Sequence, residues 1–137
     1  MMNECIFCKI ITGEIPCVKV YENDDVLAFQ ALGQVNPGHT LIIPKQHSNN
    51  LLEMNSSLGN SMQRAILVVG NAMIQGLQLD GINIINNVHE AAGQEVMHTH
   101  IHLIPRKKGD GFKHWPLQET SEEDRLLYAE KIIKSIE

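Results

Sequence analysis

Apolar residues along the chain fall into blocks whose spacing shifts between strand-like and helix-like periods. Phe7 to Thr12 predicts a short helix, ended by Gly13 and Pro16. Val18 to Tyr21 and Val26 to Phe29 read as two strands. The polar run Glu22-Asn23-Asp24-Asp25 between them is turn chemistry and predicts a hairpin. A turn at Asn36-Pro37-Gly38 leads into a third strand, Thr40 to Ile43, closed by Pro44. The period then lengthens. Ser56 or Ser57 can cap a long helix in which Met62, Ala65, Ile66, Val69, Met73 and Leu77 recur every three or four residues, so one face is buried. Gly81 opens a fourth strand, Ile82 to Asn86, and the fifth runs from Val96 to Ile104, stopped by Pro105. Thr120-Ser121-Glu122-Glu123 signals a last amphipathic helix, Asp124 to Ile136. This order predicts an α+β fold, a five-stranded antiparallel meander with helices packed on it.

Composition narrows the picture. A chain of 137 residues without internal repeat, low-complexity tract or linker reads as one domain, 1–137. A domain of that size buries roughly 68% of its unfolded surface and needs no disulfide scaffold. Hydrophobic residues make up 43% and charged ones 20%, an ordinary globular balance. Sixteen acidic against eleven basic residues, net −5, weighs against gripping long nucleic acid through its phosphates. A single nucleotide needs only a few donors and remains open. Met1 to Cys8 lacks the basic start and apolar run of a secretory signal. No apolar stretch approaches a membrane span, since even Ala65 to Gln75 is broken at Gly70 and Asn71. The three cysteines, Cys5, Cys8 and Cys17, an odd count, predict reduced thiols and a cytoplasmic location.

The chemistry gathers in the fifth strand. Of seven histidines, three fall within five positions: His98, His100 and His102. On a strand, side chains alternate faces, so these three project from one side, and Met97, Thr99, Ile101 and Leu103 face the core. Imidazole is largely neutral near pH 7 and therefore nucleophilic. A lone strand histidine is ordinarily structural or superficial; three in register call for another reason. A three-histidine metal site is one, but positions two apart on a strand lie about 6.6 Å apart, placing His98 and His102 about 13 Å from each other. One ion with bonds near 2.1 Å hardly collects all three. The triad is expected to divide its labour.

His98-x-His100-x-His102 followed by apolar residues resembles the defining motif of the histidine-triad (HIT) family. The likeness extends through Cys5-Ile6-Phe7-Cys8-Lys9-Ile10, Ile15-Pro16, Val26-Leu27-Ala28-Phe29, Gly38-His39-Thr40-Leu41-Ile42-Ile43-Pro44-Lys45 and Ala92-Gly93-Gln94, covering about residues 4 to 116. The tail, about 121–136, adds little. The resemblance implies a HIT-like fold and a dimeric nucleotidyl hydrolase or transferase acting on nucleoside phosphoramidates or dinucleoside polyphosphates. It makes His100 the nucleophile and predicts a nucleotidyl-histidine intermediate. The carbonyl of the preceding turn or strand is expected to hold the other ring nitrogen of His100 and fix the tautomer. His102, Gln94 and Asn87 are implied phosphate contacts, with turn or strand-end hydrogen bonds the alternative for Gln94 and Asn87. Phe7, Ile10 and Phe29 are implied to line the base pocket, or to be plain core. His39 is a site-adjacent support or a buried structural residue; His89 and His114 read as superficial. Trp115 resembles a segment that approaches the partner's pocket.

Two positions depart from the family pattern. Ala31, beside Gln30, stands where an acidic residue often holds the ribose hydroxyls, and Glu95 stands where Ser often follows Gly93-Gln94. A carboxylate near a phosphate repels it unless turned away. Cys5-x-x-Cys8 alone is compatible with a redox pair, half of a zinc site or coincidence. With His47 and His98 it would complete a Cys₂His₂ set that closes zinc's four-coordinate shell, a structural site. Some bacterial-type members of the family resemble this arrangement. A nucleotide-binding regulator with little turnover and a zinc-stabilised interaction module are the other function classes.

Overall fold

The structure, a computed structural model, describes residues 4–136; the ends of the expected 1–137 unit, Met1 to Asn3 and Glu137, lie outside the described residues. In chain order the elements are α1 (Ile6–Ile11), β1 (Lys19–Glu22), β2 (Val26–Gln30), β3 (Thr40–Pro44), α2 (Ser56–Gly76), β4 (Gly81–Asn86), β5 (Ile101–Arg106) and α3 (Glu122–Lys134), with 3-10 turns at Leu51–Glu53 and Glu90–Ala92. The class is α+β, and all strand pairs are antiparallel, as the pattern predicts. Asn23 makes the first hairpin: its Oδ1 accepts from the N–H groups of Asp25 and Val26 at 2.9 and 3.0 Å.

Strand order is β1-β2-β3-β5-β4, so the meander holds only through β3. Beyond α2 the chain enters at the far edge as β4 and returns as β5 between β3 and β4. Burial explains the order. β5 is mostly buried, whereas β4 carries Asn83, Asn86 and an exposed Ile84, which suits an edge.

Successive residues of β2 and β3 serve two cores, which is why both strands are buried continuously rather than alternately. Val26, Ala28 and Ile42, with Ile101 and Leu103 of β5, pack against Met62, Ala65, Val69 and Met73 of α2. Leu27, Phe29, Leu41 and Ile43 face the other way and pack with Phe7 under α1. Each large side chain so buried stabilises the fold by about 1.5–3 kcal/mol relative to exposure. The cap of α2 is Asn55 rather than Ser56 or Ser57; its Oδ1 accepts from Leu58 N–H at 2.8 Å, the orphan donor of the third helical residue. Leu77 lies past the last helical residue and is exposed.

The fifth strand differs from expectation at both ends. A residue's N–H and C=O point to the same edge of a strand. The Pro105 carbonyl accepts from Asn36 Nδ2 at 2.8 Å, so its ring nitrogen also faces that side. There β3 no longer pairs: the two strands share only Thr40–Ile42 against Leu103–Ile101. The missing donor costs no ladder bond, and β5 runs through Pro105 to Arg106. At the other end the strand starts at Ile101, not Val96. Pro44 offers no donor toward β5, and its carbonyl accepts from His98 Nε2 at 2.8 Å. The chain bends through 96–98 instead, and the N–H of Thr99 donates to the Ser48 carbonyl at 2.7 Å. β3 and β5 thus part like the tines of a fork, and the triad begins in the gap.

α3 forms as predicted, capped by Ser121, whose Oγ accepts from Asp124 N–H at 3.1 Å. It does not pack as expected: none of its residues is buried. Among the described residues no helix is long and apolar enough to cross a membrane.

Candidate active site and metal centre

The three triad histidines start from one place and reach two. His100 is buried, 6% exposed, and its Nδ1–H donates to the His98 carbonyl at 2.7 Å. That bond assigns the proton to Nδ1 and leaves Nε2 with a free lone pair. It is the carbonyl anchor expected from the motif. The His100 carbonyl accepts from Asn86 Nδ2 at 2.9 Å, so both sides of the residue are held. Phe7 packs edge-on against the His100 ring, with centroids 5.2 Å apart.

His102 lies on β5 proper, its ring 5.0 Å from that of His100. Its Nδ1 sits 2.9 Å from Nε2 of His39, on β3's approach. Val35 N–H donates to His39 Nδ1 at 3.2 Å, which fixes the rest of the chain of tautomers. His39 Nε2 carries the hydrogen, His102 Nδ1 accepts it, and the neutral His102 ring then carries its own hydrogen on Nε2. Burial, then the neighbouring His100 and His39, push the His102 pKa down to about 4; burial also lowers that of His39. Both rings are neutral at pH 7.

This shift has a consequence for stability. An unfolded histidine titrates near 6.5, whereas His102 in the fold titrates near 4. Between those values the unfolded chain takes up a proton that the folded chain refuses. Stability present above pH 6.5 is therefore lost as the pH falls through 4. Melting temperatures measured from pH 7 to pH 4 are expected to fall, and His102→Asn to flatten part of that slope. An identical slope in the variant would overturn the assignment.

His98 turns away from His100 and joins Cys5, Cys8 and His47. Its Nδ1 lies 3.4 Å from Cys5 Sγ and 3.6 Å from Cys8 Sγ, and His47 Nδ1 lies 3.3 Å from Cys8 Sγ. The four donor atoms all fall within 4.8 Å of one another. Zinc bonds of 2.0–2.3 Å in a tetrahedron set donor separations of about 3.3–3.8 Å, so the set fits that ion. The His98 Nε2–H donation to Pro44 keeps Nδ1 free as the donor atom, the support a metal-binding imidazole requires. Burial foremost pushes the His98 pKa down to about 4, so it is neutral and able to ligate. Burial likewise raises the Cys8 thiol to about 11, and the neighbouring Cys5 thiol adds to it. The chain's own geometry gathers a closed Cys₂His₂ set.

The remaining expected residues divide. Phe7 and Phe29 meet edge-on with centroids 5.8 Å apart, and Ile10 packs on their cluster. Asn87 donates to the Gly93 carbonyl at 3.3 Å and keeps one amide hydrogen. Gln94 has none to spare. Its Nε2 donates to the Asn49 and Val96 carbonyls at 2.6 and 3.0 Å, and its Oε1 accepts from His89 N–H at 2.9 Å. It laces loops together, the hydrogen-bonding alternative to the expected phosphate contact. Ala31 is buried and Glu95 exposed, the latter lining an open cavity beside Cys5 and His47. His89, His114 and Trp115 are exposed. Sequence reasoning missed Val35, Pro44, Ser48 and Asn86, which act mostly through backbone atoms or from distant loops and leave no spacing signal.

Fold and site together define a small α+β protein built around histidines at the fork of an antiparallel sheet. Residues 12–109 match the HIT domain model. SMU.412c of Streptococcus mutans UA159 superposes with a TM-score of 0.93 at 46% identity, covering 100% of this chain and 88% of that one. The adenosine 5'-monophosphoramidase hnt1 of Schizosaccharomyces pombe is 34% identical over 135 residues, 96% of this chain and 98% of the relative. A zinc-bound histidine triad family protein of Mycobacterium smegmatis matches with a TM-score of 0.78 at 32% identity and 100% coverage of both chains. The chain belongs to the HIT family.

Proposed function

We propose that this protein is a cytoplasmic nucleotidyl hydrolase or transferase that opens a phosphoramidate or phosphoanhydride at the α-phosphate of a nucleotide, with residues 4–116 as the catalytic unit. The observation that carries the reading is the 2.7 Å bond from His100 Nδ1 to the His98 carbonyl, which keeps Nδ1 protonated and makes Nε2 the nitrogen whose lone pair can attack. The phosphoramidase named among the relatives supports the reaction class. Nε2 of His100 attacks the α-phosphorus, a P–N bond forms, and the amine, phosphate or second nucleotide departs with the displaced electron pair. Water then cleaves the nucleotidyl-histidine, giving the nucleoside monophosphate and free His100. His102 Nε2–H and the remaining Asn87 amide hydrogen face the phosphate oxygens; His39 fixes His102, and Gln94 holds the loop behind them. Phe7, Ile10 and Phe29 take the base. Cys5, Cys8, His47 and His98 hold a structural zinc, which supplies rigidity and no step of the reaction.

Incubation with an adenosine phosphoramidate and a dinucleoside polyphosphate tests this directly. Release of AMP supports the hydrolase; tight binding without turnover would instead support a nucleotide-binding regulator. The free edge of β4, with exposed Ile84, and the exposed Leu67, Val68 and Ile74 of α2 suit a symmetric homodimer. Light scattering at micromolar concentration is expected to give twice the 15.4 kDa chain mass, and a monomer would refute the assembly.

A further inference from the structure

The thiols of the metal centre stand on the same helical turn as the ring that packs on the nucleophile. Cys5 precedes α1, Cys8 lies in its first turn, and Phe7 between them touches His98 and His100, with centroids at 5.8 and 5.2 Å. His98 joins the two sites a second time. Its Nδ1 faces both sulfurs and its carbonyl holds His100 Nδ1. Cys5 and Cys8 are both partly exposed, and Cys5 lines an open cavity of about 360 Å³ that also includes Glu4, His47, Glu95 and Met97. A small oxidant reaches the sulfur without unfolding the chain.

We infer that Cys5 and Cys8 form a peroxide-sensitive thiol switch, whose oxidation to a disulfide empties the metal centre and displaces Phe7 and His98 from the nucleophile. The inference rests on the zinc reading above. The first thiolate attacks a peroxide oxygen, forming a sulfenic acid; the released hydroxide takes a proton to become water. The second thiolate attacks the sulfenic sulfur, forming the S–S bond and expelling hydroxide, which takes another proton. Two thiolates, one hydrogen peroxide and two protons become one disulfide and two waters. Only two imidazoles then remain for the ion, too few to retain it.

Displacement follows from geometry. Two sulfurs that share a tetrahedral zinc stand about 3.8 Å apart. A disulfide brings them to about 2.05 Å. The extended residue Cys5 and the first turn that carries Cys8 must therefore draw together. α1 has six residues, and no capping side chain holds its start. Phe7 moves with that turn. The His100 ring loses its edge-on neighbour, and the segment leading to it loses the metal as one of His98's two anchors, keeping only the bond to Pro44.

The test uses zinc-loaded Cys17→Ser protein, so that only the pair remains, treated with a few equivalents of hydrogen peroxide beside a chromogenic zinc indicator. Expected are one zinc released per chain, both thiols lost, and an intact mass two hydrogens below the reduced apoprotein. Hydrogen exchange at 98–100 should quicken, and phosphoramidate turnover fall at least tenfold. Dithiothreitol with zinc should restore all of these, which separates the effect from irreversible oxidation of the exposed Met97. Protein that holds zinc yet keeps it and its thiols under peroxide would overturn the switch and leave the zinc reading intact. So would release without change in exchange at 98–100, for the coupling. Protein that never takes up zinc would overturn both.

Discussion

Replacing His100 by Ala is expected to lower turnover at least ~10³-fold, about 4 kcal/mol of transition-state stabilisation. In the proposed mechanism the variant loses the atom that forms the P–N bond. His102 cannot substitute, because its Nδ1 accepts from His39 and its other nitrogen carries the hydrogen. His98 cannot, because its Nε2 donates to Pro44 and its Nδ1 faces the sulfurs. The variant loses the ring packed on Phe7 and frees the His98 carbonyl, a cost of about 1–3 kcal/mol that leaves the fold intact. Steady-state kinetics on an adenosine phosphoramidate, with circular dichroism and melting on the same sample, checks both halves. Activity retained within tenfold of wild type would sink the mechanism.

The second large effect is on stability. Purified without chelator or metal-affinity tag, the protein is expected to carry about one zinc per chain, and Cys5→Ser to lose it. An ion bound only by the folded state adds its binding energy to folding, about 4 kcal/mol when free zinc exceeds the dissociation constant a thousandfold. At roughly 3–4 °C per kcal/mol for a chain of this size, the melting temperature should drop by about 12–16 °C. A strong chelator should lower wild type as far and leave Cys5→Ser unmoved. Metal well below stoichiometric, with no rise in melting temperature on adding zinc, would make the cysteines ordinary thiols.

Local patterns carried most of the fold. The α2 face, the Asn23 hairpin and the Ser121 cap are each written in a few neighbouring residues, so periodicity and turn chemistry reach them. Strand order was not legible, because the position of β5 inside β4 depends on a comparison of burial between distant segments. The expected strand held for His102 and began too early for His98 and His100, although the His100 ring still lies beside that of His102. Pro44, a residue in another strand, ends the pairing that would have continued it. The metal set was legible in type, two thiols in Cys-x-x-Cys with spare histidines. Gln94 shows the limit: its residue type suits a phosphate, but its hydrogens are already engaged by Asn49 and Val96.

The fork between β3 and β5 also limits the lengths of loops. Surface connections ordinarily tolerate an added or missing residue. Here the stretch from Pro44 to Asn50 is stitched to the stretch from Gln94 to Thr99. The Pro44 carbonyl meets His98, the Ser48 carbonyl meets Thr99 through both backbone and hydroxyl, and the Asn49 carbonyl meets Gln94. The two segments keep register as paired strands do, through bonds that are mostly not ladder bonds. One residue inserted or deleted in either would slide every stitch and carry His98 and His100 out of place, with no change to the residues themselves. Away from His47, Gln94, His98 and Thr99, this chain should therefore tolerate a changed residue in these loops better than a changed length.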